Sequence, residues 1–249
     1  MELEFTGEFY IPGKMDYEDS QMHIQRYAFA SKFVREKFVL DVACGTGYGT
    51  KMLREKGAIA IGLDKSKEAI KYAMRNYGRE YILGNCTTLP FKDDVFDVVI
   101  SMETIEHIKD YKKFLSECRR VLKDSGIFIC STPNKETSFP YRNDFNIFHL
   151  KEFYPEELFS IISKYFKKVE KYGQGYISIF RRMRRNITAL LNLWALTYKI
   201  KLYCKNKIFG ENIVKRKSFD NIDKKYSVIT YYKSKFKFPT TLVCVAKKE

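Results

Sequence analysis

Between residue 38 and about residue 131, short apolar, β-branched runs alternate with amphipathic stretches of helical length. That alternation is the pattern of a parallel sheet with crossover helices. It predicts strands at Phe38–Val42, Ile59–Leu63, Tyr81–Leu83, Val95–Ser101 and Gly126–Ser131, with helices at Tyr48–Lys56, Ser66–Tyr77 and Tyr111–Leu122. The last of these helices closes at Lys123-Asp124-Ser125-Gly126, which reads as a turn into the next strand. Ahead of this core, Asp19–Lys37 predicts a helix with Ile24, Tyr27, Ala28 and Phe33 near one face. Behind it come an irregular loop over Thr132–His149, a helix from Pro155 to about Tyr165 and a strand near Val169–Tyr172. The closing apolar run Thr241–Ala246, TLVCVA, is typical of a buried strand.

Residues 178–209 break the pattern. Arg181, Arg182, Arg184 and Arg185 precede a stretch in which Ile187, Leu190, Leu191, Trp194 and Tyr198 share one helical face, and Lys199, Lys201 and Lys205 follow. This predicts a basic amphipathic helix with a wide apolar stripe. Two readings fit it: a cap packed on the domain, or an interfacial helix on an anionic membrane surface, burying Trp and Leu while Arg and Lys reach headgroups.

Charge sharpens the division. The net charge is +15, but residues 1–163 carry −2 and residues 164–249 carry +17. A basic block of this kind faces a polyanion, an anionic membrane or an acidic substrate, or reflects a lysine-rich composition. With 249 residues, 45% of them hydrophobic, the chain can bury one full-sized core, and disorder and collagen-like architectures are excluded. The six cysteines form no CxxC pair and read as reduced thiols of a cytosolic protein. The acidic MELEFTGEFY start lacks the features of a signal peptide, and no stretch reaches the roughly 18 apolar residues of a membrane span, so a cytoplasmic location, with peripheral membrane contact open, is the expectation.

The chemistry concentrates in Asp41-Val42-Ala43-Cys44-Gly45-Thr46-Gly47-Tyr48-Gly49, a strand running into a glycine turn that opens a helix. Glycines let the backbone approach a ligand, and the helix start offers N–H groups. Because nicotinamide-binding folds begin alike, the turn alone does not name its ligand. The second strand ends in Asp64, whose carboxylate is placed to accept both hydroxyls of a ribose. Asn85 and Cys86 follow the third strand, in position to bracket a purine, and the fourth strand runs through Ser101 and Met102 into Glu103-Thr104-Ile105-Glu106-His107.

Together DVACGTGYG, IGLD, GNC with LPF, FDVVISMETIEHI and RRVLKDSGIFICSTPN resemble the successive motifs of class I S-adenosylmethionine-dependent methyltransferases, over roughly residues 36–173. The resemblance implies an α/β, Rossmann-like fold with a seven-stranded, mostly parallel sheet whose last strand is antiparallel, here interrupted by a basic helical insertion. The implied division is an N-terminal lid at 1–37, the core at 38–175, the insertion at 176–240 and the last strand at 241–249. The resemblance further implies that Asp41, Gly45 and Gly47 hold the methionine portion of the cofactor, Asp64 the ribose and Asn85 with Cys86 the adenine. Ser101 and Met102 would line the sulfonium. One departure stands out, since Asn85 occupies a position that usually carries Asp; its amide oxygen can still accept from an adenine amino group.

The flanks, GEFYIPG, HIQRY, STPN and NIFHLKEF, resemble a bacterial and archaeal branch associated with surface-glycan and other small-molecule biosynthesis. METIEH is also similar to the ubiquinone-biosynthesis O-methyltransferases, in which acids and His near this position are linked to a divalent metal. His107 and His149 are the candidate bases, falling on loops at the C-terminal edge of the sheet. Glu103, Glu106 and His107 are a weaker candidate set for a hard cation. The expected partner is a small-molecule acceptor; a lipid-linked acceptor beside residues 178–209 and RNA remain alternatives. Common nucleic-acid forms are disfavoured, since SMET stands where Asn/Asp-Pro-Pro-Tyr/Phe would follow the fourth strand and no Pro-Cys dipeptide occurs.

Overall fold

The computed structural model describes residues 9–137, 148–178, 226–231 and 237–249. Most of the expected basic helix at 178–209, the arginines at 181–185 included, lies outside the described residues. Helix α1 (Tyr17–Ala30) leads through a short 3-10 turn (Ser31–Phe33) into β1 (Phe38–Val42), α2 (Tyr48–Glu55), β2 (Ile59–Asp64), α3 (Lys67–Tyr77) and β3 (Tyr81–Leu83). The chain continues through β4 (Phe96–Met102), a 3-10 turn (Ile105–His107), α4 (Tyr111–Val121), β5 (Leu122–Pro133), α5 (Pro155–Ile162) and β6 (Lys167–Gln174). Four further strands follow: β7 (Ile177–Ser178), β8 (Ile229–Thr230), β9 (Lys237–Phe238) and β10 (Thr241–Lys247).

The main sheet has the order β3-β2-β1-β4-β5-β10-β6-β8. Strands β1 to β5 pair in parallel with one another, and β10 runs antiparallel between β5 and β6. Eight strands stand where the motifs implied seven, because Ile229 and Thr230 add a short antiparallel edge to β6. Residues 123–126, expected as a turn, belong to an irregular start of β5; Ser125 takes φ 59° and the register shifts between Phe96 and Val98. Helix α1 also begins earlier than expected, at Tyr17, because Asp16 caps it by accepting from the Asp19 amide at 2.9 Å. Among the described residues no helix is long and apolar enough to cross a membrane.

Period-two alternation divides the core into two layers. Leu40, Val42, Val99, Phe128, Leu242 and Cys244 face α4 and α5, where Phe114, Leu115, Leu158 and Phe159 cover them. Val39, Val98, Ile100, Ile129, Val243 and Val245 face Tyr27, Phe29, Tyr48 and Leu53 of α1 and α2. The strand order reverses between β1 and β4, and open α/β sheets bind ligands at the carboxyl ends flanking such a reversal.

Asp41 is the polar member of the second layer. Fully buried, it accepts a hydrogen bond from Tyr27 of α1 at 3.0 Å and from Thr50 of α2 at 2.7 Å. One residue before Tyr27 on α1, Arg26 donates to Gln174 Oε1 at 3.0 Å, while Gln174 Nε2 donates to the Met22 and Tyr226 carbonyls at 3.0 and 2.7 Å. Both clamps hold α1 against the sheet. Gly49 permits the first of them, since a Cβ there would lie 2.0–2.4 Å from three carbons of the Tyr27 ring.

Two measurements test this packing. Gly49→Ala is expected to destabilise the fold by about 1–3 kcal/mol in urea unfolding, through overpacking against Tyr27. Burial raises the Asp41 carboxyl from 3.8 to about 7, with Thr50 and Tyr27 opposing the rise and Asp64 adding to it. In the unfolded chain the group ionises near 3.8, so across that interval the folded state binds more protons and stability falls as pH rises, levelling off above about 7. Glu106, also raised, contributes a decline of the same sign. Asp41→Asn should therefore give a flatter profile of unfolding free energy against pH over that interval; an unchanged slope would contradict the assignment.

Candidate active site

The β1–α2 turn is held from both sides. The Cys44 amide donates to Leu63 O at 3.0 Å, the Gly45 amide to Asp64 Oδ2 at 2.9 Å and the Gly47 amide to Cys44 O at 3.0 Å. Gly47 takes φ 79° at the N-cap of α2, and the Tyr81 hydroxyl donates to its carbonyl at 2.9 Å. Ala43 takes φ 57°, a left-handed conformation that costs a non-glycine residue about 1–2 kcal/mol. Backbone strain of that kind persists only where surrounding bonds impose it.

Asp64, buried at the C-terminal edge of β2, receives the Gly45 amide on Oδ2 and the Ser66 amide on Oδ1, at 2.9 and 2.8 Å. Each carboxylate oxygen has a second lone pair, so this geometry leaves capacity to accept hydroxyls. The donor chemistry fits the ribose and the close backbone approach that the cofactor named above requires.

Beside the turn lies a cleft of about 280 Å³, the scale of a small-molecule site. Ala43–Thr46 and Met102 form its floor. One wall is aromatic: Tyr10 stacks on His23 with centroids 4.7 Å apart, Tyr48 meets Tyr10 edge-on at 4.5 Å, and His23 Nδ1 lies 3.2 Å from the Tyr48 hydroxyl. Burial, with Arg26 adding, pushes the His23 imidazole well below its usual value, so it stays neutral.

The opposite wall is polar, formed by Glu103, Glu106, His107 and His149. Glu103 turns off β4 at φ 51°, and its carboxylate accepts from Ser131 Oγ at 2.7 Å. Glu106 is fully buried; Oε2 accepts from Thr132 Oγ1 at 2.9 Å, while Oε1 has no hydrogen-bond partner. Burial, then the neighbouring Glu103 carboxylate, pushes Glu106 well above the usual carboxyl range. Its backbone carbonyl accepts the Leu150 and Lys151 amides at 2.8 and 3.1 Å, which fastens the segment bearing His149 to this wall. His107 Nδ1 lies 2.8 Å from Phe148 O, His149 Nδ1 lies 3.3 Å from Glu152 Oε1, and the two rings meet edge-to-face at 4.9 Å.

The structure thus brings His107, His149, Gly45 and Met102 to one cleft and treats the other expected site residues differently. Gly47 closes the turn at the N-cap of α2, and the Asp41 carboxylate, held by Tyr27 and Thr50, acts on the cleft by positioning the turn. Ser101 and Met102 were expected to flank one sulfur, but successive strand residues point to opposite faces: Met102 reaches the cleft, whereas the Ser101 hydroxyl is buried without a partner. Asn85 and Cys86 follow β3. The Asn85 amide oxygen, expected to accept from adenine, already accepts from the amide and hydroxyl of Thr87, both at 2.9 Å, so its amide nitrogen is the group left to face a purine. Burial raises the Cys86 thiol to about 11, which keeps it neutral.

The metal set also differs from expectation. Ser131 holds the Glu103 carboxylate, and the group that comes together is Glu106, His107 and His149. Sequence reasoning passed over His23, because helix α1 precedes the sheet and offers no motif at its edge. The signal present was aromatic density in GEFYIPG and HIQRY, which supply Tyr10, His23 and Tyr27.

Residues 40–130 match the methyltransferase domain family. A probable S-adenosylmethionine-dependent methyltransferase of Mycolicibacterium smegmatis is 35% identical over 166 residues, covering 64% of this chain and 63% of that protein. A ubiquinone biosynthesis O-methyltransferase of Bradyrhizobium diazoefficiens is 36% identical over 101 residues, covering 39% of this chain and 40% of that protein. The chain therefore matches less than two thirds of the length of either relative. In fold it resembles a solved S-adenosylmethionine-dependent methyltransferase of Thermotoga maritima, described as a possible histamine N-methyltransferase, with TM-score 0.62, 18% identity and 94% and 95% of the two chains covered. Sheet order, glycine turn and relatives agree in supporting a class I S-adenosylmethionine-dependent methyltransferase domain over residues 40–130.

Proposed function

We propose that this chain transfers a methyl group from S-adenosylmethionine to an oxygen or nitrogen of a small molecule seated between the aromatic and polar walls. The observation that carries this reading is Asp64, a buried carboxylate at the edge of β2, joined through the Gly45 amide to the turn that floors the cleft. When bound, the cofactor supplies an electrophilic methyl carbon on a positively charged sulfur. Asp64 accepts the ribose hydroxyls, Asn85 and Cys86 edge the purine, and Gly45 with its neighbours admits the backbone close to the methionine portion. Met102 shields the cleft floor from water.

The two walls divide the remaining work. Tyr10, His23 and Tyr48 offer apolar faces against which a ring packs, with His23 Nδ1 and the Tyr48 hydroxyl paired to one another. The polar wall orients the reacting heteroatom and receives the proton it loses, with His107 and His149 as the groups in reach of the cleft. Alignment of heteroatom and methyl carbon supplies most of the acceleration. Within this class we favour a hydroxyl-bearing ring, a glycan precursor or related metabolite, because an aromatic face opposite a carboxylate and imidazoles suits a ring carrying hydroxyls. The likeness to an O-methyltransferase supports an oxygen acceptor. The protein would work in the cytoplasm, with any contact to an anionic membrane made through residues 178–209.

Calorimetry with S-adenosylmethionine and its demethylated product tests the cofactor. Saturable micromolar binding by the wild type, lost or weakened at least about tenfold in Asp64→Ala, is expected from removal of a charge-assisted hydrogen-bond pair. No binding by the wild type would overturn the proposal. Transfer of isotope-labelled methyl to sugar nucleotides, quinols, lipid-linked sugars and RNA in parallel tests the acceptor: label in a soluble ring compound supports the reading, and label confined to RNA or to the lipid-linked fraction overturns it.

A further inference from the structure

Strand β3 contributes no residue to the lining of the cleft, yet its first residue, Tyr81, reaches the glycine turn. The ring is buried, and its hydroxyl donates to the Gly47 carbonyl at 2.9 Å. That carbonyl also accepts the Lys51 amide at 3.1 Å, a bond of the first turn of α2. The two bonds together fix the peptide that joins Gly47 to Tyr48, and Tyr48 carries its own ring into the aromatic wall.

Two glycines make room for the Tyr81 ring. A Cβ at Gly47 would lie 2.6 Å from Tyr81 Cε1, and one at Gly62 would lie 2.6 Å from Tyr81 Cδ1. Glycines in both GTG and IGLD therefore serve to admit an aromatic side chain from the neighbouring strand, and a ring wedged this closely has no second place to go.

Arg54 of α2 sets the direction of the hydroxyl. Its Nη2 donates to the Tyr81 oxygen at 3.1 Å and to the Tyr77 carbonyl at 2.5 Å, its guanidinium carbon lies 5.2 Å from the centre of the Tyr81 ring, and Glu80 pairs with Nη1. A guanidinium has donors only, so the Tyr81 oxygen is engaged as an acceptor and its single proton is directed to Gly47. Burial, opposed by Arg54, raises the phenol above its usual value and keeps that proton in place.

We propose that Tyr81 is a positioning residue for the cofactor, pinning the Gly47 carbonyl from β3 as Asp64 pins the Gly45 amide from β2, with Arg54 aiming its hydroxyl. Tyr81 does not line the cleft, so it acts through the turn. Its effect falls on the methionine portion of S-adenosylmethionine, the part the turn holds on the methyl-transfer reading, and the proposal rests on that reading. The ribose side is separate, since the Asp64 carboxylate is fixed by the Gly45 and Ser66 amides and not by Tyr81. A turn already fixed needs no ordering when the ligand arrives, whereas one released at Gly47 loses affinity to that ordering.

The test compares the full chain as wild type, Tyr81→Phe, Arg54→Met and the double variant, each checked for retained circular dichroism and studied well below its unfolding temperature. Two ligands are titrated by calorimetry: S-adenosylhomocysteine, and 5′-methylthioadenosine, which carries the adenine and ribose without the amino-acid tail. Tyr81→Phe keeps the wedged ring and loses one hydrogen bond, so it should weaken S-adenosylhomocysteine by about threefold to tenfold and 5′-methylthioadenosine by less than about twofold. Arg54→Met should act in the same direction and add nothing to Tyr81→Phe in the double variant, because both act through one hydroxyl. Hydrogen exchange over residues 44–51 of the ligand-free protein should accelerate in Tyr81→Phe. Unchanged S-adenosylhomocysteine affinity in Tyr81→Phe, equal weakening of both ligands, or unchanged exchange over residues 44–51 overturns the proposal, and additive losses in the double variant overturn the role of Arg54. A wild type that binds neither ligand rejects the methyl-transfer reading, while the exchange measurement still decides whether Tyr81 pins the turn.

Discussion

Everything around the cleft depends on the Asp41 carboxylate. It projects from the central strand into the layer between sheet and helices, where period-two alternation would otherwise place an aliphatic residue. There it takes one hydroxyl from α1 and one from α2. Hydrogen bonds to an ionised partner are worth roughly 1.5–3 kcal/mol each, but taking the charge out of water opposes them, and the elevated carboxyl near 7 records that opposition. The net result is positional. Tyr27 fixes the N-terminal helix, Thr50 fixes the first turn of α2, and the glycine turn between strand and helix has little freedom left.

From that anchoring follows the asymmetry of the cleft. Helix α1 carries His23 to the aromatic wall, and its second clamp, Arg26 to Gln174, ties the helix to the end of β6. The polar wall is built differently, from the end of β4 and the segment bearing His149. Two residues in left-handed conformation, Ala43 and Glu103, stand at the C-terminal ends of adjacent strands β1 and β4, where each chain leaves the sheet sharply. Strain concentrated at the two strand ends that face a ligand is the usual signature of a preorganised site. At the polar wall the same economy of space leaves Glu106 with one satisfied oxygen and one unsatisfied oxygen, a state that a closed apolar core would not tolerate.

Much of this was legible in the chain itself. Strands at Phe38–Val42 and Tyr81–Leu83 coincide with the expected limits, and α2, α3 and α4 differ from theirs by a residue at an end. Their apolar spacing and capping residues are local properties, so local reading suffices. Ser66, for example, announces α3 from sequence and caps it in the structure, accepting from the Ala69 amide at 3.1 Å. The eighth strand escaped because Ile229–Thr230 is two residues long and exists only by pairing with β6. The start of β5 escaped because Lys123-Asp124-Ser125-Gly126 has turn composition, and only the flanking pairs Phe96–Leu122 and Val98–Ile127 make it part of the strand.

The site divides along the same line. Sequence by itself determined the fold class, the order of the elements, the glycine turn and the carboxylate at the end of β2, since each rests on residues close together in the chain. Tertiary structure alone decided which side chains meet. Spacing suggested Glu103 as partner to Glu106 and His107, but Ser131, from the neighbouring strand, holds Glu103, and His149 arrives from 42 positions beyond His107 to join them. It also decided that Met102 faces the cleft while Ser101 does not, and that Asn85 gives its amide oxygen to Thr87. The physical reason is common to all three: a hydrogen bond or a strand face assigns a side chain to one neighbour and so denies it to another, and those neighbours are known only when the sheet is assembled.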